Sequence, residues 1–150
     1  MIHKEYLTKE IIDELEKRNP EIHMGLEIPP AVFIDMKGSV GQFSKSENSL
    51  VCYFPVLENQ LNPFGNMQGG VISAAIDNTI GPLSMLVADP SVTRHLEVKY
   101  KRAITPEMER ITVTARLFKQ DKKFLFFTSS VTDSEGNVLA TAKSTHFIIV

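Results

Sequence analysis

Between Val71 and Ala88 the chain reads VISAAIDNTIGPLSMLVA, apolar on almost every side of a helical projection. This run limits the available folds most. A helix with one apolar stripe lies on a surface, whereas one that is apolar nearly all round must be enclosed. The material to enclose it is at hand. Four strand-like runs follow, VTRHLEVKYKRAI, RITVTARLFKQ, KFLFFTSSVTD and NVLATAKSTHFIIV. Turn chemistry separates them at Thr105-Pro106-Glu107, Asp121-Lys122-Lys123 and Ser134-Glu135-Gly136, which predicts a largely antiparallel meander of the last four strands. Ile111, Val113, Ala115 and Leu117 alternate with Thr112, Thr114 and Arg116, the pattern of a sheet with one buried face. Gly81-Pro82 inside the helical run predicts a kink or restart there, because proline removes a backbone hydrogen bond.

Ahead of this unit, Ile11, Ile12 and Leu15 recur at helical spacing from Thr8 to Arg18, and Asn19-Pro20 supplies a stop. AVFIDMKGSVGQFSK and SLVCYFPVLE are rich in β-formers and flank Ser46-Glu47-Asn48, predicting a hairpin. The expected architecture is α+β: a central helix wrapped by a curved, largely antiparallel six-stranded sheet. Residues 1–150 form one domain in this reading, with 1–25 as an N-terminal helical extension.

Composition narrows the partners. A net charge of −2 with 23% charged residues offers no global basic field, so no nucleic-acid partner is expected and any anion recognition must be local. One cysteine, Cys52, leaves no intrachain disulfide, and four scattered histidines form no zinc-ligand pattern, so neither metal nor cofactor is expected. A cytoplasmic setting is the simplest expectation. MIHKEYLTKE lacks the apolar run of a signal peptide, and no apolar stretch is read as reaching the roughly 18–20 residues that span a bilayer, so no membrane is expected either. Cys52, in LVCYFPV with no histidine near it in sequence, reads as a buried, inert thiol, and His95 and His146 as packing or surface residues. Phe124, Phe126 and Phe127 read most simply as core and interface residues, with the lining of an acyl tunnel as the alternative for some of them.

The aspartate inside the apolar helix needs an explanation. At 100° per residue Gly70, Ser73, Asp77, Gly81 and Ser84 share one face, small and polar. An isolated buried carboxylate is very costly, so Asp77 must reach water, a polar contact at an interface, or a ligand. The lead-in Asn66-Met67-Gln68-Gly69-Gly70 would leave the first N–H groups of the helix pointing outward, where they stabilise phosphate, carboxylate or a developing oxyanion. A polarising helix start with a carboxylate two turns on suits acyl transfer.

These residues carry a resemblance. Asn62, then Gly65-Asn66-Met67-Gln68-Gly69-Gly70, then Val71 to Ile76, then Asp77, is similar to the pattern of hotdog-fold acyl-CoA thioesterases of the phenylacetate-pathway branch: an asparagine, Gly-x-x-His-Gly-Gly, six residues and a catalytic aspartate. The resemblance runs from about Ser39 to Val150 and includes YKRAITPEMERITVTARLFKQDKK. It implies hydrolysis of an acyl-CoA thioester, with Asp77 as nucleophile or general base. It further implies that the Gly69 N–H polarises the carbonyl, that Asn62 holds water or acyl group, and that Thr93 stands near a hydroxyl position beside the water. The same resemblance implies a site shared between the subunits of a homodimer, commonly a dimer of dimers. Substrate contacts are expected at Gly70 and Ser73, and for the nucleotide phosphates at Lys99, Lys101, Arg102 and Lys123.

Gln68 departs from the pattern, which has histidine there. Glutamine keeps a donor and an acceptor but cannot change charge near neutral pH. A non-catalytic protein that binds acyl-CoA or another acyl ligand therefore remains an alternative. A hydratase on the same fold fits less well, since it would want a histidine with the acid on the central helix and none lies between His23 and His95.

Overall fold

The computed structural model describes residues 1–20 and 25–150. The N-terminal extension follows the sequence reading up to Pro20, and its part at 21–24 lies outside the described residues. Helix α1 (Lys9–Arg18) begins at Thr8, whose hydroxyl accepts the Ile11 N–H at 3.4 Å, and buries Ile11 and Leu15. Asn19 Nδ2 donates to the Met85 carbonyl at 3.4 Å, tying the end of α1 to the central helix.

Helix α2 (Ala31–Asp35) corrects the first half of a predicted strand. Pro30, extended at φ −69°, starts it, and Lys37 at φ 53° turns the chain out of it. A β-branched composition gave way here to burial of Phe33, which meets Phe54 edge-on at 5.5 Å. Strands β1 (Ser39–Ser44) and β2 (Ser49–Pro55) then form the expected hairpin, with Asn48 at φ 49° in the turn.

The central helix α3 spans Gly69–Val87, followed by β3 (Ser91–Tyr100), β4 (Arg110–Asp121), β5 (Phe124–Thr132) and β6 (Val138–Ile148). The sheet order is β1-β2-β4-β5-β6-β3, with every pairing antiparallel. This is the expected curved six-stranded sheet around one long helix, with one change of order. Only β4, β5 and β6 form a meander. The longer connection over 101–109 carries the chain across the sheet, so β3 pairs with β6 at one edge while β4 pairs with β2. A tight turn would have forced β3 against β4, and this connection is too long to impose that.

Ile72, Ala75, Ile76, Ile80 and Leu83 of α3 are buried against the sheet together with Leu50, Phe54, Ile111, Val113 and Phe127. The other side of α3, including Asp77, is only half-buried within the chain, so enclosure on most faces is not achieved by one copy. The helix neither breaks nor restarts at Gly81-Pro82. Both residues line an open cavity. At 19 residues α3 is also long and apolar enough by composition to cross a membrane, contrary to the sequence reading. Its inward face packs on the sheet. Phe127 is buried, whereas Phe124 stands 44% exposed and pairs with Phe147 at the sheet surface.

Candidate active site

Two groups of residues on α3 meet the chemistry anticipated from the sequence, and they occupy different places. The first is centred on Asp77. Thr93 Oγ1 on β3 donates to Asp77 Oδ1 at 3.0 Å, and the same hydroxyl lies 3.1 Å from His146 Nε2 on β6. On the far side of the imidazole, Nδ1 lies 3.2 Å from Ser91 Oγ. His146 is 2% exposed, and the Phe127 ring stands 4.9 Å from it. Burial pushes the imidazole below its ordinary range, and the Asp77 carboxylate partly offsets this.

A fault in strand pairing builds this contact. Thr93 opposes His146 and Leu96 opposes Ser144, so Arg94 is an extra residue in the ladder, a β-bulge. Residues three apart in a regular strand point to opposite faces. The bulge turns both Thr93 and Leu96 toward the helix side.

Asp77, Thr93 and His146 open onto a cavity of about 460 Å³. Its remaining wall is largely apolar: Leu26, Ile28, Pro30 and Val32 from the segment entering α2, with Pro82 and Met85 from α3. Glu27 is the other carboxylate on it. Ser84, grouped with Asp77 by the helical projection, is buried and returns its hydroxyl to the Gly81 carbonyl at 2.7 Å.

The second group surrounds the start of α3. Gln68 is the N-cap residue, extended at φ −62° and ψ 140°, and its side chain makes no capping bond. The turn is held instead by backbone: Met67 N–H to Ile104 carbonyl at 2.8 Å, Gln68 N–H to Gln60 carbonyl at 2.9 Å, and Val71 N–H to Gln68 carbonyl at 3.0 Å. Among the described residues the Gly69 and Gly70 N–H groups have no acceptor, as expected of a helix start. A cavity of about 290 Å³ adjoins them, lined by Asn62, Gly69, Tyr100, Lys101, Arg102 and Ile104 among others. Asn62 Oδ1 accepts the N–H groups of Phe64 (2.9 Å) and Asn66 (3.2 Å), which folds the loop and leaves its amide nitrogen as the group able to meet a ligand. Tyr100, which sequence reasoning passed over, donates to the Gly69 carbonyl at 3.0 Å and meets Ser73 Oγ at 2.6 Å, so Ser73 clamps the helix start to the end of β3.

The basic residues do not form one cluster. Lys101 and Arg102 lie at the helix-start cavity, while Lys99 stands with Glu97, Thr141 and Lys143 over the outer side of the sheet. Lys123 sits at the other end of the β3–β6 ladder, where its carbonyl accepts the Ile148 N–H and its ammonium lies 6.0 Å from the Phe147 ring. Ten strand residues separate that end from Lys101, about 30 Å. His95 is exposed. Cys52 is fully buried on β2, its thiol pushed up to about 12 by that burial, so it is unsuited to nucleophilic work.

His146 and Ser91 were missed as site residues. His146 keeps phase with the buried residues Ala142, Ser144 and Ile148, which marks it as inward-facing. Nothing in the sequence says which residue of another strand it meets.

Comparison with known proteins agrees with this architecture. Acyl-coenzyme A thioesterase 13 of Homo sapiens is 25% identical over 114 residues, covering 72% of this chain and 79% of its own. The PaaI protein from the phenylacetic acid degradation operon of E. coli has a similar structure, with TM-score 0.77 at 13% identity over 92% of this chain and 95% of its own. A Streptococcus mutans protein solved bound to acetyl CoA gives TM-score 0.68 at 19% identity over 74% of this chain and 87% of its own. At these identities the two structural likenesses speak for the fold. The model of the thioesterase superfamily matches residues 64–140, just over half of the chain, from the loop before α3 into β6, and the protein belongs to that superfamily.

Proposed function

We propose that the protein hydrolyses an acyl-CoA thioester, with Asp77 as nucleophile or general base and the start of α3 polarising the thioester carbonyl. The observation that carries this reading is the placement of Asp77: a carboxylate in the wall of a largely apolar cavity, with Oδ1 held by Thr93 at 3.0 Å. Among the described residues Asp77 Oδ2 has no protein partner, so that oxygen is left for water or substrate. The acetyl CoA bound to the Streptococcus mutans protein and the name of the human relative support CoA as the leaving group.

In the general-base course, Asp77 takes a proton from water as the water oxygen bonds to the carbonyl carbon. The charge that develops on the carbonyl oxygen is met by the free N–H groups at Gly69 and Gly70, where one lost donor costs about 10²–10³ in rate. Collapse breaks the carbon–sulfur bond, and the thiolate receives the proton held by Asp77. Lys101 and Arg102, beside the helix start, are placed for the nucleotide phosphates.

Asp77 and Gly69 are eight residues apart on one helix, about 12 Å, too far for both to act on one carbonyl. We read the working unit as a homodimer in which the helix start of one copy faces Asp77 of the other, with pairs of dimers as a further assembly. The free edge of β3 and the half-exposed side of α3 support this. Gln68, whose side chain caps nothing, favours a second reading, a protein that binds acyl-CoA without turnover.

Release of free thiol from short, medium, long and aryl acyl-CoAs tests both. Turnover of at least one substrate, lowered about 10²–10⁴-fold by Asp77→Asn, is the expected result. Wild-type rates in that variant would remove Asp77 from the chemistry, and tight binding without turnover would favour the second reading.

A further inference from the structure

We propose that His146 is a positioning residue that acts on Asp77 through Thr93, as the middle member of a one-way chain of hydrogen-bond donors from Ser91 to the carboxylate. This rests on the reading of Asp77 given above and extends it to a residue on the last strand.

The direction of the chain follows from counting hydrogens. An ionised carboxylate only accepts, so the 3.0 Å contact takes the single hydroxyl proton of Thr93. Thr93 Oγ1 then has only lone pairs to offer His146, so the nitrogen 3.1 Å away, Nε2, must carry a proton. Burial favours the neutral imidazole, which has one N–H, so Nδ1 is bare and accepts from the Ser91 hydroxyl at 3.2 Å. With the ring neutral, all three contacts are satisfied only by Ser91 O–H to Nδ1, Nε2–H to Thr93 Oγ1, and Thr93 O–H to Asp77 Oδ1.

Such an aligned series polarises each bond in it. Its effect on Asp77 is geometric. Oδ1 is held on the β3 side, which leaves Oδ2 as the oxygen without a protein partner among the described residues. The imidazole is itself fixed by the Phe127 ring at 4.9 Å and by its place opposite Thr93 and Leu125 in the sheet. An isolated threonine could rotate its hydroxyl away from the carboxylate, and the Nε2–H removes that freedom by occupying a lone pair.

The test combines kinetics with nitrogen chemical shifts of the His146 ring. His146→Phe keeps the ring and deletes the donor, so kcat should fall about 10- to 100-fold, the range seen when outer hydrogen-bond partners are removed at metal sites, with KM within about twofold. His146→Gln, whose amide nitrogen is the same number of bonds from Cα as Nε2, should recover most of the loss. In a Thr93→Val background His146→Phe should cost nothing more. The ring should show a protonated Nε2 and a bare Nδ1.

A protonated Nδ1, independent multiplying losses, or equal damage in the Gln and Phe variants would overturn the proposal. The ring shifts need no turnover. If no thioester is hydrolysed, the catalytic reading falls while the shifts still decide the donor chain. If turnover is present with the wrong tautomer, only the role of His146 falls.

Discussion

The two regions of α3 that carry polar function differ in almost every physical respect. At its start, backbone N–H groups, the Asn62 amide and the Lys101 and Arg102 cations line an open cavity, a surface suited to receive negative charge. At its middle, Asp77 stands in a larger, mainly apolar cavity, steadied by neutral hydroxyls and a neutral imidazole. One region has donors and no base, the other a base and no donors for an oxyanion. The difference teaches that, under the proposed function, a single chain holds two halves of a reaction centre, pointing at different space and about 12 Å apart.

The largest expected effects come from disabling each half. Asp77→Asn should lower kcat by about 10²–10⁴. Gly69→Pro should lower it by about 10²–10³, since it deletes a donor while proline suits the first helical position. The extended Gln68 before it accepts a following proline, and a Cβ at Gly69 would sit in ordinary contact, 3.4 Å, with the Tyr100 ring. Steady-state thiol release checks both.

Mixing the two dead variants breaks or sharpens the comparison directly. If each centre takes Asp77 from one copy and Gly69 from the other, unfolding and refolding a 1:1 mixture should restore about a quarter of wild-type activity, because half of the dimers are mixed and each has one intact centre. No recovery, with mixed dimers demonstrated, would show that both halves must come from one chain.

Charge reversal is the next smaller effect. Lys101→Glu with Arg102→Glu should raise KM for acyl-CoA by up to about tenfold in low salt and less in high salt. Lys99→Glu, on the outer face, should change little. An equal response at Lys99 would mean that the effect is long-range and that the helix-start cavity does not hold the nucleotide.

The smallest effect is on stability. The unfolded His146 has its ordinary value of 6.5, and in the fold burial lowers it. Below about 6.5 the unfolded chain therefore binds more protons than the native one. Stability from this group is present above 6.5 and is lost as pH falls through the lower folded value. The charged groups on that cavity are Asp77, which opposes the shift, and Glu27. Thermal melts between about pH 7 and 5 should show a larger drop for the wild type than for His146→Gln, which carries no titrating ring.

Much of the fold was legible because its signals are local. The 19-residue helix, the hairpin turn at Asn48, and the turns at Lys122 and Gly136 all follow from side-chain pattern and backbone preference within a few residues. The helix at Ala31–Asp35 was misread as strand because a five-residue segment carries too little periodicity to outweigh its β-branched composition. Strand order was misread for a related reason: the connection 101–109 is long enough to reach either neighbour, and local chemistry does not choose between them.

The candidate site divides in the same way. Asp77 and the Gly69 start were apparent because an aspartate in an apolar helix and paired glycines before it are anomalies of the linear chain. Thr93 was located near its place by resemblance. Its direction depends on the bulge at Arg94, and its meeting with His146 on pairing across 53 residues.

By itself, then, the sequence determined most of the segments that become helix and strand, the short helix α2 excepted, which helix must be enclosed, and which carboxylate is out of place, since these depend on short-range periodicity and on the cost of burying charge. Only the tertiary structure decided that β3 lies beside β6, that the bulge turns Thr93 inward, and that a histidine on the last strand stands behind the aspartate. Those contacts join residues far apart along the chain, and the physics that selects them is packing and hydrogen-bond satisfaction in three dimensions, which the order of residues does not display.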